Sequence, residues 1–190
     1  MVDNQEIDAI DLLTNSMNSM SFLYEISNVI FSSDRDKITV GGFYDAWIRN
    51  IGSSVDRVPI NLGIILGYLY CGFLYTKENW DYLLPDIAFV DADEKYGIIT
   101  DNFICRVQNP NVRYVVRRIR NALAHGNIFL NVPDYITTKE QLYSDVTIRF
   151  KDINQKDSKD IFEIELSINQ LTKFIHTFQE VIYQNVKSRL

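Results

Sequence analysis

Hydrophobic residues recur every three or four positions near both ends of the chain, a spacing typical of amphipathic helices. The N-terminal recurrence predicts a long first helix that continues to about Phe31 and stops before a polar break at residues 32–37. Near the C-terminus, Ser167 with Gln170 forms a capping-box pattern ahead of an apolar face. This pattern predicts a last helix over about residues 168–188.

A period of two replaces the helical spacing just before that last helix. Apolar and polar residues alternate over residues 146–150 and again over residues 162–166. The two alternating runs predict a small antiparallel β-hairpin over about residues 146–166. The joining loop, residues 151–160, is charged and lacks glycine and proline, so we expect it to be exposed and mobile, with no chemistry of its own.

Three shorter patterns fill the middle of the chain. A narrow apolar face predicts a helix over residues 43–51, and residues 78–90 are expected to form one or two helical turns adjusted around Pro85. A compact acidic group follows, made of Asp91, Asp93 and Glu94. Calcium would need more oxygen ligands at a fixed loop spacing, so a turn or a helix cap is the better interpretation of this group.

Residues 58–76 carry no formal charge and form a run long enough to span a membrane. The small residues Gly63 and Gly67 would also suit the close approach of membrane helices. However, Pro59 and Asn61 shorten the apolar centre, and no basic cluster flanks the run. A buried helix of a bundle is therefore favoured over a membrane span.

The most distinctive helix is predicted over residues 110–125, which read PNVRYVVRRIRNALAH, and we call it the arginine helix. Asn109 is a suitable N-cap, and Pro110 suits the first helical position, where a missing N–H has no consequence. Gly126 can adopt the left-handed conformation that ends a helix. These signals predict where the helix begins and ends.

The arginine helix has an apolar stripe and an opposite polar face. Four residues of that polar face are spaced by four and form a ladder along it: Arg113, Arg117, Asn121 and His125. Arg120 also belongs to the polar face, Arg118 lies near its edge, and the helix contains no acidic residue to relieve repulsion. An anion-binding face is one interpretation; the other is that the arginines pair with acidic residues elsewhere and His125 interacts with the helix C-terminus.

Composition limits the remaining possibilities. With 190 residues, 46% hydrophobic and 23% charged, the chain is expected to form a single domain over residues 1–190. Its formal net charge of −6 disfavours indiscriminate coating of nucleic acid, so any RNA binding has to be local.

Cys71 and Cys105 lie in apolar contexts and are expected to be buried thiols in a reducing cytosol. An acidic N-terminus without a signal-peptide pattern agrees with a cytoplasmic protein.

The sequence lacks the residue patterns of several common kinds of catalytic site. The two histidines, His125 and His176, have no neighbouring ligands that would complete a zinc site, and His176 is expected to be solvated. The sequence has no glycine-rich phosphate loop and no GxSxG nucleophile turn. If the chain is an enzyme, it is expected to work without a metal or a cofactor.

Residues 120–125 read RNALAH, which resembles the signature of HEPN domains (higher eukaryotes and prokaryotes nucleotide-binding). That signature is an arginine, usually followed by a polar residue, and a histidine after four to six intervening residues near the end of an amphipathic helix. The order of the other predicted elements is also similar. The resemblance implies a mainly α fold, a HEPN-like helical bundle with a small antiparallel β-hairpin before the C-terminal helix.

Several HEPN families are metal-independent endoribonucleases, often toxins or phage-defence effectors, and other members are inactive. The resemblance therefore implies an endoribonuclease, with RNA as substrate and a cognate antitoxin protein as a candidate partner. RNA permits metal-free cleavage because its 2′-hydroxyl can attack the adjacent phosphate, and DNA lacks that group. The alternative is a HEPN-like module that binds a nucleotide, RNA or a protein without cleaving.

The expected catalytic residues are Arg120, Asn121 and His125. His125 would transfer a proton, Arg120 would stabilise charge on the phosphoryl oxygens, and Asn121 would orient the imidazole or donate to phosphate. Arg113 and Arg117 would hold the flanking RNA phosphates. The expected products carry a 2′,3′-cyclic phosphate and a 5′-hydroxyl.

Helix geometry adds an expectation about assembly. Arg120 and His125 are five residues apart, hence about 140° apart around the helix and about 7.5 Å apart along it. Within one chain they diverge, whereas a second copy related by a twofold axis can place its histidine beside the first copy's arginine. The HEPN resemblance likewise implies a homodimer with a composite active site.

Overall fold

A computed structural model describes most of the chain, and each statement below refers to these residues: 4–52, 60–75, 80–98, 102–133, 136, 138–154 and 156–188. The chain divides into two compact units, Met1–Tyr68 and Leu69–Leu190, which are described separately. The expectation of a single domain over residues 1–190 stays a prediction.

The first unit contains the predicted long helix, α1, which spans Asn4–Ile30 and confirms the helical periodicity there. A second helix, α2, spans Val40–Asn50. It begins three residues before the predicted start because the Thr39 hydroxyl accepts the N–H of Gly42 and caps the helix there. The buried Trp47 of α2 packs against the ring of Phe22 in α1.

The uncharged run contains helix α3, Ile60–Leu69, which continues as a π-helical segment, Tyr70–Tyr75. Residues 58, 59 and 76 of that run lie outside the described part of the chain. None of the helices described is both long and apolar enough to cross a membrane.

The prediction that both cysteines are buried is wrong for Cys71, which is exposed in the π-helical segment. The buried side of that segment carries Gly72 and Phe73, next to the buried Leu69 at the end of α3, and Cys71 falls outside it. An apolar sequence context alone therefore did not indicate which residues face the interior. Cys105 is half-buried.

The second unit continues with two 3₁₀ turns that flank Pro85, Asp81–Leu83 and Phe89–Asp91, as the interrupted helical pattern predicted. A short helix, α4, spans Asp93–Tyr96, so the acidic group lies at a turn and a helix start. The later elements are β1 (Phe103–Cys105), α5 (Val112–Ala124), β2 (Ile128–Asn131), α6 (Lys139–Asp145), β3 (Thr147–Ile153), β4 (Ile161–Ser167) and α7 (Ile168–Lys187).

The predicted hairpin is present as strands β3 and β4, which pair antiparallel with Phe150 opposite Ile164. The sheet is larger than predicted, because β1 pairs with β4 and β2 pairs with β3 to give the strand order β1-β4-β3-β2. The two additional strands are only three and four residues long, too short to show an alternating pattern. A mainly α fold with a small antiparallel sheet is confirmed.

The core of the second unit lies on one side of this sheet. Residues at every second position of β3 and β4 are buried there, and helix α5 packs across β3. The last helix, α7, begins with the predicted capping box between Ser167 and Gln170. Its apolar face is buried, with Phe174 stacked on Phe73. His176 is exposed, as expected.

Candidate active site

The arginine helix is α5, and it begins later than predicted. Asn111 is the N-cap and accepts the N–H of Tyr114 at 2.8 Å, whereas Asn109 has a positive φ of 49° and lies outside the helix. Pro110 is not the first helical residue, because its carbonyl accepts the N–H of Phe89 and the chain is extended there. The predicted start is therefore wrong by two residues.

The C-terminal end of α5 agrees with the prediction. Gly126 has a φ of +69°, and the N–H of Asn127 donates back to the carbonyl of Ala122 at 2.9 Å. The N–H of Gly126 donates to Leu123, which completes a Schellman motif. This turn fixes the C-cap residue His125, whose side chain is exposed to solvent.

The predicted ladder of polar residues runs along two adjoining grooves. The first groove, of about 540 Å³, lies at the start of α5 and includes Arg113 and Arg117. The second groove, of about 450 Å³, lies towards the end of α5 and includes Arg117, Asn121 and His125. Arg117 belongs to both linings, so the four ladder residues lie along two adjoining grooves.

The two ladder arginines differ in the contacts that their guanidinium groups make within the protein. The guanidinium of Arg113 donates to the carbonyl of Leu84 at 3.0 Å. Arg117 is exposed, and its guanidinium lies 5.3 Å from the ring centroid of Tyr114. Lys156, from the loop after β3, adds a second exposed cation to the groove that contains His125. This groove thus contains exposed cations and an imidazole, together with the carboxylates of Asp152 and Asp160.

Arg120 is not brought together with His125 in this chain. It lines neither of the two grooves, and it is half-buried at the other edge of the polar face of α5. Its Nη1 lies 3.4 Å from Oδ1 of Asn121. Arg120 and His125 therefore do not share either of these grooves, and the divergence expected from helix geometry stays a prediction.

Arg118 has a different environment from its neighbours, because it is only 5% exposed. Its Nε lies 2.5 Å from a carboxylate oxygen of Asp152, and its Nη1 donates to Asp160 at 2.9 Å and to the hydroxyl of Tyr114. Its Nη2 donates to the main-chain carbonyls of Asp152 and Asp160. We call this set of contacts the Arg118 clamp; it joins α5 to strand β3 and to the end of the loop that precedes β4.

The charges of the clamp stabilise one another. Burial disfavours the charged form of Arg118, but the hydrogen bond to Asp160 and the charge of Asp152 outweigh it and raise the pKa of Arg118. A hydrogen bond from Asn154, opposed by burial and reinforced by Arg118, lowers the pKa of the Asp160 carboxyl. Arg118 and the Asp160 carboxyl therefore both favour their charged forms in the folded protein.

The loop after β3 has more chemistry than the sequence suggested. Asp160 anchors its end to the Arg118 clamp, and Asp157 forms an ion pair with Arg106. Asn154 and Lys156 line the groove that contains His125. The loop is largely exposed, as expected, but it begins after Ile153, because residues 151–153 belong to β3. The expectation that it has no chemistry of its own is wrong in one respect, since Asp157 and Asp160 pair with arginines that lie far from it in the sequence.

Sequence reasoning also missed Asp152, although a signal was present. Ile148, Phe150 and Asp152 occupy alternate positions of β3 and share its buried face. A carboxylate at an inward position needs a counter-ion, and Arg118 lies beside the apolar stripe of α5. The alternative interpretation of the arginines as partners of acidic residues is thus correct for Arg118.

No group of three or more histidine, cysteine, aspartate or glutamate side chains in the described part of the chain is arranged to hold a metal ion. The residues brought together along α5 include arginines, a lysine, side-chain amides and an imidazole, and the same grooves also contain the carboxylates of Asp81, Asp152 and Asp160. The arginines, the lysine and the amides can bind phosphate by charge and hydrogen bonds, and an imidazole can accept or donate a proton.

A family model described as HEPN pEK499 p136 matches residues 4–189, nearly the whole chain. No curated protein and no solved structure matches the chain significantly.

Proposed function

This chain belongs to the HEPN family described as pEK499 p136, and from this membership we propose that it is a metal-independent endoribonuclease. The observation that carries the proposal is the groove beside His125, whose lining also includes Arg117, Asn121 and Lys156. The Arg-Asn-x-x-x-His motif supplies the first and last of the reacting groups, Arg120 and His125.

In the proposed reaction, the 2′-oxygen of a ribose attacks the adjacent phosphorus while the bond from phosphorus to the 5′-oxygen breaks. The 2′-hydroxyl loses its proton and the leaving 5′-oxygen gains one, and His125 carries out one of these two transfers. Arg120 stabilises the charge that develops on the phosphoryl oxygens, for which its forked and permanently charged guanidinium is suited. The products are a 2′,3′-cyclic phosphate and a 5′-hydroxyl.

Arg113 and Arg117 hold the phosphates on either side of the scissile bond. They lie one helical turn apart along adjoining grooves, which suits a backbone that passes along α5. The net charge of −6 repels RNA elsewhere on the surface, so binding is confined to this face.

The active site is proposed to be composite, with Arg120 of one protomer beside His125 of a second copy. Its support is that Arg120 lines neither groove of its own chain, while His125 lies in one of them. A twofold axis near the polar face of α5 would bring the two residues together in two equivalent sites. A toxin or phage-defence role, with an antitoxin as partner, stays a prediction from the family resemblance.

The test is cleavage of single-stranded RNA by the purified protein in the presence of EDTA. The wild type should cleave and leave cyclic phosphate ends, whereas Arg120→Ala and His125→Ala should each reduce kcat by at least about a hundredfold. His176→Ala is the matched control, because this second histidine is exposed on α7, well apart in sequence from the motif.

Circular dichroism and urea unfolding should show that all three variants remain folded. Activity that survives both the Arg120 and the His125 changes would contradict the proposed site. RNA binding without any cleavage would instead identify the chain as a non-catalytic HEPN module.

A further inference from the structure

Asp152 makes one contact that the ion pair with Arg118 does not explain. The Arg118 clamp already compensates for burying this carboxylate, which is only 7% exposed on the inner face of β3. The same carboxylate oxygen, Oδ2, also accepts a hydrogen bond from Nδ2 of Asn121 at 3.3 Å. Asp152 therefore connects the clamp to the residue that follows Arg120 in the motif.

That contact determines which way the Asn121 amide points. An amide has a donor end and an acceptor end. An ionised carboxylate has no proton to donate, so it acts as an acceptor and never as a donor. With Nδ2 of Asn121 held by Asp152, Oδ1 faces the guanidinium of Arg120, whose Nη1 donates to it at 3.4 Å. The reverse orientation would place oxygen against the carboxylate and N–H groups against the guanidinium, and both contacts would be repulsive.

We infer that Asp152 is a positioning residue for Arg120 and acts through the amide of Asn121. This inference rests on the proposed function, in which Arg120 stabilises the transition state. Asn121 then bridges Asp152 and Arg120, with its donor end on the carboxylate and its acceptor end towards the guanidinium. Arg118 contributes by neutralising Asp152, so that this carboxylate can orient Asn121 without repelling the phosphate in the groove.

The expected effect is on kcat and not on KM. A guanidinium that is ordered before the reaction stabilises developing charge without reorganisation, and that advantage is realised only in the transition state. Asp152→Ala should lower kcat roughly tenfold while KM changes less than about twofold, since misplacement of a catalytic group has effects of this size.

Asp152→Asn distinguishes positioning from stability. An asparagine with its oxygen at the Oδ2 position still accepts from Asn121, but it lacks the charge that pairs with Arg118. It should therefore recover most of the kcat that alanine loses while remaining less stable than the wild type in urea. If Asp152 had a merely structural role, the loss of kcat in Asp152→Ala and in Asp152→Asn would be in proportion to the loss of stability in each variant.

A double-mutant cycle with Asn121→Ala supplies the matched control. If Asp152 acts through Asn121, Asp152→Ala should cause no further loss of kcat once Asn121 is alanine. Asp160→Asn removes the other carboxylate of the Arg118 clamp without contacting Asn121, so its effect on kcat should multiply with that of Asn121→Ala. Equal coupling in the two cycles would overturn the inference.

A second measurement keeps the inference testable if the protein does not cleave RNA. Relaxation of the ¹⁵Nε signal of Arg120 should show an ordered guanidinium in the wild type and in Asp152→Asn, and a mobile one in Asp152→Ala and Asn121→Ala. Asp152→Thr, a strand former with a shorter side chain, replaces the alanine variant if that variant fails to fold.

A wild-type protein that does not cleave RNA would refute the proposed function. If the Arg120 guanidinium is nevertheless ordered in that wild type and mobile in Asp152→Ala, the positioning role of Asp152 is upheld. Unchanged Arg120 order in Asp152→Ala, together with wild-type kcat, would overturn the role of Asp152 and leave the ribonuclease proposal intact.

Discussion

Arg117 and Arg118 are adjacent in the sequence and carry the same charge, but their guanidinium groups have opposite environments. Arg117 is exposed over the ring of Tyr114, whereas Arg118 is buried between two carboxylates. One turn of α5 thus contains an arginine available to a ligand beside an arginine committed to the fold.

Arg118→Ala should strongly destabilise the protein, because it leaves the buried Asp152 without its counter-ion. Removing one partner of a buried ion pair typically reduces the free energy of unfolding by about 3–5 kcal/mol. Arg117→Ala, the matched control, removes only an exposed contact with an aromatic ring and should reduce it by about 0.5–1 kcal/mol. Urea unfolding monitored by fluorescence measures both, and equal losses would contradict the assignment of Arg118 to the fold.

Asp160 should make stability depend on pH in the acid range. Its pKa is lowered in the folded protein, chiefly by the hydrogen bond from Asn154, so its ionised form stabilises the fold. That contribution is complete above the ordinary carboxyl pKa of 3.8 and is lost as the pH falls through the lower folded value.

Asp160→Asn should therefore be less stable than the wild type at neutral pH, and the difference should shrink as the solution is acidified below that range. Urea unfolding over a series of pH values measures the difference. A gap that stays constant down to the acid limit would show that the charge of Asp160 is not involved.

At the residue scale, the sequence identified the ladder from Arg113 to His125 because helical spacing depends on one element alone. It did not identify the pairing of Arg118 with Asp152, which depends on how α5 lies across β3. Contacts between distant segments are not encoded in any local pattern, although the charge at an inward strand position was a usable signal.

At the element scale, α5 is defined by its two ends. The sequence predicted its C-terminal end at Gly126, where only glycine readily adopts the positive φ. It did not predict that Pro110 and Asn111 are extended and contact residues 87–89, which delays the helix start. The short strands β1 and β2 were missed for a similar reason, since they are strands only through pairing with β4 and β3.

The corrected helix start can be tested by comparing the two asparagines. Asn111→Ala should reduce the free energy of unfolding by about 1 kcal/mol, because it removes the acceptor for the N–H of Tyr114. Asn109→Gly should be neutral or slightly stabilising, since Asn109 has a positive φ and glycine adopts that conformation freely. Thermal or urea unfolding decides the matter, and an Asn111→Ala variant as stable as the wild type would argue against this cap.

At the scale of the whole molecule, the mainly α fold and the position of the hairpin followed from hydrophobic periodicity and from the HEPN resemblance. The division into two compact units did not, because the apolar run through α3 gives no sign of a boundary. The family membership covers residues 4–189 and therefore both units. The homodimer that would complete the active site stays a proposal.

The central claim is that Arg120 of one protomer acts with His125 of a second, and mixing two inactive variants tests it most directly. Arg120→Ala and His125→Ala should each be inactive alone. After subunit exchange at equal concentrations, half of the dimers are mixed and each mixed dimer has one intact composite site, so about a quarter of the wild-type ribonuclease activity should return. A mixture as inactive as its separate components, although mixed dimers have formed, would contradict the composite site.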